Sequence, residues 1–101
     1  MVIYNVTVKV STSMSAKWIQ WMKTKHIPEV MHTGCFLEYK LCKLIGDDNE
    51  DGITFAVQYL CKDMDALENY QKHHAKGLQA DHSANFGGHF AAFRSVLEVI
   101  E

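Results

Sequence analysis

Cysteine, proline and long apolar runs are scarce in this sequence. Its 101 residues include one proline and three cysteines, and an odd, widely spaced set of cysteines argues against a disulfide framework. We therefore expect Cys35, Cys42 and Cys61 to be reduced thiols, packed as small hydrophobic side chains in a cytoplasmic protein. No apolar run approaches the roughly 18 residues that a membrane-spanning helix needs. The opening stretch MVIYNVTVKV is typical of a strand and lacks the features of a signal peptide.

Runs of one charge are also missing. Ten Lys and Arg residues against twelve Asp and Glu residues give a net charge of -2. Without a basic stripe, neither nucleic acid nor an anionic membrane is expected as a partner. A composition of 48% hydrophobic and 22% charged residues is ordinary for a globular protein. The length is that of one domain, predicted over residues 1–101.

The hydrophobic pattern predicts elements in the order β-α-β-β-α-β. Val and Tyr alternate with other residues from position 2 to position 10, which is the period of a strand. The predicted elements are a strand over 2–10, a helix from the 11–15 region to about Met31 with Gly34 as its stop, strands over 35–45 and 53–61 joined by an acidic turn, a helical region from Asp63 or Asp65 to Gly87 with a break near Gly77, and a strand over 90–100. Asp65 and Glu68 have capping-box spacing.

This order is that of a ferredoxin-like α+β sandwich, in which a four-stranded antiparallel sheet carries both helices on one face. The more apolar face of the sheet is the one that we expect the helices to cover. It is predicted to carry Val6, Val8, Leu37, Leu41, Phe55, Val57, Phe93 and Leu97.

The opposite face of the predicted sheet has no helix left to cover it. Several large apolar side chains are assigned to this face: Ile3, Phe36, Leu44, Leu60, Phe90, Val96 and Ile100. A contiguous exposed apolar patch usually marks an interface. A second copy, packed sheet against sheet about a two-fold axis, is the simplest cover, and these residues are the predicted homodimer interface. A half-wet sheet face is the alternative.

The first helix places a histidine in its apolar stripe. At about 100° per residue, His26 lies near the centre of an arc that includes Trp18 and Met22. Pro28 cannot donate a hydrogen bond to the carbonyl of Thr24, so the helix should kink or restart there. His26 is either a neutral, hydrogen-bonded core histidine or a group that lines a cavity with a pKa near working pH.

Polar groups on the helix-covered side of the sheet favour the interpretation that His26 lines a cavity. Tyr4, Tyr39 and Tyr59 all project to that side, where each buried hydroxyl needs a partner. The second helical region adds His74 and His82. We therefore predict a small-molecule pocket with His26 as candidate catalytic group, lined by Trp18, Met22, Tyr39, Tyr59 and His74. The same side chains are also compatible with an internal hydrogen-bond network.

Metal and cofactor motifs are weak. Residues 47–52, DDNEDG, match the start of a calcium-binding loop, but Gln58 stands where the bidentate Glu belongs and strands flank the loop. An acidic turn explains these residues. No His or Cys spacing is typical of zinc, so no metal and no cofactor is predicted.

The sequence resembles the dimeric α/β-barrel superfamily in its first helix, through Trp18, Trp21, His26, Pro28, Gly34 and Phe36. Over nearly its full length it is similar to a bacterial family known as domain of unknown function 4286. The stretches YNVTVKV, WIQWMKTKHIPEVMHTGCF, FAVQYLCK and FRSVLEV carry that likeness. The resemblance implies a ferredoxin-like protomer that pairs into a barrel.

The superfamily includes oxygenases, haem-degrading enzymes, polyketide cyclases and sensing proteins. Its haem-degrading members use an Asn on the first strand, a Trp on the third and a His on the second helix. Here Asn5 and His73 or His74 match, but the third strand has Phe55 and Tyr59 and no Trp. Cyclase-type members use His and Tyr as acid and base, a role that His26 with Tyr39 or Tyr59 would fill.

Three functions follow from these observations. The first is binding or transformation of a small apolar or aromatic molecule in the pocket. The second is a non-catalytic dimeric sensor or structural module, and the third is a haem-binding or monooxygenase-like protein. An enclosed void beside His26 favours the pocket, whereas close packing there favours the module.

Overall fold

The computed structural model shows a four-stranded antiparallel sheet with helices on one face. It describes residues 1–46 and 51–101. Its elements are β1 (Val2–Val10), a 3-10 turn (Thr12–Met14), α1 (Ser15–Trp21), a π-helical turn (Met22–His26), α2 (Ile27–His32), β2 (Glu38–Lys43), β3 (Ile53–Cys61), α3 (Met64–His73), α4 (Ala75–Phe86) and β4 (Phe90–Glu98). The strands lie in the order β2-β3-β1-β4. The predicted ferredoxin-like class is confirmed. Residues 47–50, the larger part of the predicted acidic turn, lie outside the described residues.

The central strands β1 and β3 bury alternate side chains against the helices, as their period of two requires. Val8 and Val10 of β1 and Val57 and Cys61 of β3 are almost fully buried. The two strands pair antiparallel with Val6 opposite Val57. These buried side chains form the floor on which the helices lie.

The faces of β4 are the reverse of those predicted. Val6 pairs with Arg94 and Val10 with Phe90, so Phe90, Arg94 and Val96 lie on the helix side. Phe93 and Leu97 lie on the uncovered side, where Phe93 is 65% exposed. Each face of this edge strand carries two large apolar residues, so hydrophobicity alone does not specify its register.

The entry into β2 also differs from the prediction. The strand begins at Glu38, and Phe36 precedes it in an irregular segment where strand alternation does not apply. Phe36 is buried on the helix side and packs on Tyr59 and Tyr70, with ring centroids 5.0 and 4.7 Å away. Its assignment to the uncovered face is therefore wrong. Leu37, predicted to be covered, is 57% exposed.

The other residues predicted on the uncovered face differ in where the structure places them. Ile3 and Leu60 pair with each other there, half-buried. Leu44 follows β2 and lines the same side, next to Thr7 and Phe93. Ile100 lies beyond the end of β4 and is almost fully exposed.

The first helical segment accommodates Pro28 through a π-helical turn. The amide of Ile27 donates to the carbonyl of Met22, five residues earlier, and α2 then starts with Pro28 near its first position. Proline is tolerated there because the first amides of a helix have no intrahelical acceptor. The segment ends before Gly34, whose φ of 77° is in the left-handed region that glycine adopts readily.

The second helical region is divided at His74, three residues before the predicted break at Gly77. Asp63 is the N-cap of α3, and its Oδ1 accepts a hydrogen bond of 2.9 Å from the amide of Ala66. The capping-box interpretation of Asp65 and Glu68 is therefore wrong, because Asp63 occupies the cap. At the other end, His74 leaves helical geometry before α4 begins at Ala75.

Two of the three thiols are buried as expected. Cys35 and Cys61 are free and buried, and burial raises the pKa of the Cys61 thiol to about 11. Cys42 is free but exposed on the uncovered face of β2, contrary to the prediction. Within the described ranges, no helix has the length and apolar character needed to cross a bilayer.

Candidate functional site

A cavity of about 30 Å³ lies between the helices and the sheet. Valine side chains of β1 and β3 form its apolar floor. Its polar lining comes from five elements and from the π-helical turn: Tyr4, His26, Tyr59, Tyr70, Gln79, His82 and Arg94. The volume is enough for one or two water molecules.

His26 ends the π-helical turn and borders the cavity. Its ring stacks on Trp21, with centroids 5.0 Å apart and planes 23° apart. Its Nδ1 is buried and has no hydrogen-bond partner among the described residues. Burial lowers the pKa of His26; the negative charges of Asp81 and Glu29 oppose this shift, and the positive charges of Lys25 and Arg94 add to it. The ring is therefore neutral near pH 7, with one nitrogen unused by the protein.

His82 reaches the same cavity from α4. The indole Nε1 of Trp18 donates a buried hydrogen bond of 2.8 Å to its Nε2. The neutral imidazole must then carry its proton on Nδ1. Burial lowers the pKa of His82 to about 4, with smaller contributions from His26 and Arg94. The ring centroids of His26 and His82 are 5.7 Å apart, so two neutral imidazoles border one small space.

Three tyrosines, Tyr4, Tyr59 and Tyr70, complete the polar lining. Burial raises the pKa of Tyr59 and of Tyr70, so both are neutral phenols at physiological pH. Within residues 1–46 and 51–101, the Trp18–His82 bond is the one side-chain hydrogen bond in this lining. The hydroxyl groups of these tyrosines can therefore hydrogen-bond a ligand in the cavity.

Arg94 of β4 lines both the inner cavity and a wider outer cleft. That cleft, of about 450 Å³, lies between α4 and β4 and shares Tyr4, Gln79 and Arg94 with the inner cavity. The outer cleft has the volume typical of a ligand pocket, and the inner cavity does not. A ligand larger than water must therefore enter from, and remain partly in, the outer cleft.

The predicted lining residues separate into two groups. His26, Met22 and Tyr59 do line the cavity. Trp18 is fully buried beneath it, stacked on Phe55 and bonded to His82. Tyr39 is 47% exposed on β2, and His74 stacks beside Tyr70 where α3 ends, so neither reaches the cavity.

Trp21 is the other correction in this region. At about 100° per residue it is predicted to lie off the apolar stripe of its helix, at a rim or against a neighbouring chain. Instead it packs on His26 and against Phe86, 5.3 Å away. Trp21 directly precedes the π-helical turn that His26 ends, and the five-residue spacing of that turn brings the two rings to one side of the helix. This packing fixes the orientation of the His26 ring.

Arg94, Tyr70 and Gln79 were missed by the sequence reasoning. Arg94 was placed on the wrong face because the register of β4 was assigned from its apolar residues. Tyr70 and Gln79 lie in helices whose division at His74 was not foreseen, so their faces were not assigned. The pairing of Val6 with Arg94 was the signal needed, and it depends on tertiary structure.

Neither a metal nor haem fits the residues present. No group of three or more His, Cys, Asp or Glu side chains that could hold a metal ion occurs in the described parts of the chain. The inner cavity is of water size, and neither His73 nor His74 is among its described lining residues. Asn5, the match on the first strand, lies on the uncovered face and donates to Ser95 Oγ at 3.3 Å.

Several solved structures share the fold of this chain. A dimeric ferredoxin-like protein from an uncultured marine organism is 7% identical with a TM-score of 0.72, covering 100% of this chain and 96% of that one. A variant of SnoaB, a cofactor-independent oxygenase from Streptomyces nogalater, is 11% identical with a TM-score of 0.65, covering 99% and 94%. A variant of MhuD with two manganese protoporphyrin IX molecules per active site is 12% identical with a TM-score of 0.70, covering 100% and 96%.

These similarities show a ferredoxin-like fold shared with dimeric proteins. The chain belongs to the family described as domain of unknown function 4286, whose model matches residues 1–100. A comparison with curated protein sequences finds no match.

Proposed function

We propose that the protein binds a small aromatic or otherwise apolar molecule between its helices and its sheet, with His26 as the polar group that contacts it. The observation that carries this proposal is the buried Nδ1 of His26, which has no partner among the described residues and borders a cavity. Leaving a buried polar group unpaired costs about 1–3 kcal/mol, so its presence needs an explanation. A bound molecule that hydrogen-bonds Nδ1 provides one.

The chemistry available to this site is proton transfer. A neutral imidazole whose pKa is lowered by burial can accept a proton from an acidic hydroxyl or an activated C–H group. The phenols of Tyr59 and Tyr70 can donate hydrogen bonds to an oxygen of the same ligand. The non-catalytic module remains the competing function, in which water fills the cavity.

Ligand binding with a cavity-filling variant tests the proposal. Ala92 lines the cavity from β4, so Ala92→Leu should fill it and weaken binding of 2-naphthol at least tenfold. Ala84→Leu, on the exposed side of α4, is the matched control and should bind as the unaltered protein does. Quenching of tryptophan fluorescence reports binding because Trp21 stacks on His26.

His26→Leu separates a binding role from a packing role. Replacing an unpaired buried polar group by an apolar one of similar size should leave the free energy of unfolding unchanged or raise it by about 1 kcal/mol. It should also weaken 2-naphthol binding. No saturable binding by the unaltered protein, or equal binding by Ala92→Leu, would contradict the proposal.

We also propose that two copies pair through the uncovered face of the sheet. Phe93, Leu44 and Leu97 are 65, 50 and 43% exposed on this side of one chain. Large exposed apolar side chains grouped on one sheet face are well suited to packing against a second copy.

A further inference from the structure

The outer cleft carries positive charge without a compensating carboxylate. Arg94 and Lys76 both line it, together with polar side chains such as Gln71 and Gln79. Among the described residues, no Asp or Glu lines either the cleft or the inner cavity. Arg94 and Lys76 form no ion pair within residues 1–46 and 51–101.

Asp81, the acidic residue of α4, already takes part in an ion pair. Asp81 pairs with Lys25 at 3.1 Å, and Lys25 also lies 3.5 Å from Glu29. This group of charges joins α4 to the first helical segment on the outside of the molecule. Its carboxylates do not neutralise the cations of the cleft, since neither Asp81 nor Glu29 lines it.

The positive charge of Arg94 acts on the inner cavity. Arg94 lines this cavity together with His26 and His82, and its charge lowers the pKa of both rings, although Asp81 and Glu29 act in the opposite direction on His26. A planar guanidinium with several donors binds carboxylates in a bidentate way, and a nearby lysine adds a second positive charge. Two charges of one sign that line the same cleft raise the local concentration of anions there.

We infer that the ligand of this site is an aromatic carboxylate, held by its carboxylate between Arg94 and Lys76. The opposite edge of its ring then faces the inner cavity, where a ring hydroxyl can hydrogen-bond Nδ1 of His26. This inference rests on the proposed function and deepens it, because it assigns the outer cleft to recognition of an anion and the inner cavity to the reacting edge of the ligand. Arg94 is the residue that determines specificity.

A matched pair of probes tests the inference. The anion 2-naphthoate and the neutral amide 2-naphthamide have the same ring system and nearly the same shape. The unaltered protein should bind 2-naphthoate at least tenfold more tightly, and this preference should weaken as salt concentration rises. Tryptophan fluorescence measures both affinities.

Replacing each of the two cationic side chains shows which one causes the preference for the anion. Arg94→Gln should remove most of the preference for the anion while leaving the affinity for 2-naphthamide within twofold. Lys76→Gln should lower the affinity for 2-naphthoate by about two- to fivefold. Lys72→Gln, an exposed position in α3 that lines neither space, is the control and should leave both affinities unchanged. Circular dichroism checks that each variant is folded.

The outcomes distinguish this inference from the proposed function. Equal affinity for the two probes, with Ala92→Leu abolishing both, would overturn the anion inference and leave the pocket in place. Loss of both probes in Arg94→Gln would also overturn it, because a role in anion recognition alone does not affect the amide. If neither probe binds the unaltered protein, both proposals are overturned.

Discussion

The buried imidazole of His82 couples stability to pH. Burial holds its pKa at about 4 in the folded chain, compared with an ordinary value of 6.5. Above pH 6.5 neither the folded nor the unfolded state binds this proton, so its contribution to stability is constant. As pH falls from 6.5 towards 4, His82 binds a proton in the unfolded chain but not in the folded chain, so the free energy of unfolding decreases.

We therefore expect the free energy of unfolding to fall by about 2 kcal/mol from this group between pH 7.5 and pH 5. Urea denaturation at a series of pH values measures the change. His82→Asn should reduce the pH dependence, whereas His73→Asn, an exposed position at the end of α3, should keep it. A His82→Asn variant with the pH dependence of the unaltered protein would contradict this assignment.

The prediction of single residues succeeded where local patterns were strong. The placement of His26 in the apolar stripe of its helix was foreseen because helical periodicity alone indicates it. Arg94 was not, since an arginine on an edge strand is compatible with either face. Tyr39 was expected to be covered, but β2 is the other edge strand and leaves it half-exposed.

At the scale of an element, Asp63 should be a stronger determinant of α3 than Asp65. The Asp63 carboxylate accepts from the Ala66 amide at the helix start, and replacing such a cap by Ala typically costs about 1 kcal/mol. Asp63→Ala should lower the free energy of unfolding by that amount. Asp65→Ala, the matched control in the first turn, should cost no more than about half of it. Equal losses would contradict the assignment of the cap.

The strands were more predictable than the helix interruptions. Alternation over residues 2–10 and 53–61 gave the bounds of β1 and β3 because both strands are buried on one face only. The π-helical turn depends on one extra residue, which no periodicity over so short a stretch reveals. The break at His74 likewise has no glycine or proline to indicate it, whereas Gly77 lies inside α4.

At the scale of the whole molecule, the uncovered sheet face predicts a dimer. Sedimentation velocity at micromolar concentration should give about twice the mass of one 11.5 kDa chain. Phe93→Glu should shift the protein to single chains, because it places a charge on the most exposed apolar position of that face that lies within a strand.

Met64→Glu is the control for this prediction. Met64 is also a large apolar residue, 43% exposed, but it lies at the start of α3 on the helical layer. It should leave the mass unchanged. A single chain for the unaltered protein, or an unchanged mass for Phe93→Glu, would contradict pairing through this face.

The position of β1 has a consequence for biosynthesis. This strand is translated before the other three strands of the sheet, yet it lies inside the sheet between β3 and β4, and β4 is translated after the other three. Pairings so distant along the chain form slowly. A nascent chain that stops before β4 leaves one whole side of β1 open to strands of other molecules, and such edges promote aggregation. Chaperone protection is therefore needed most while the segment from α3 to β4 is being translated.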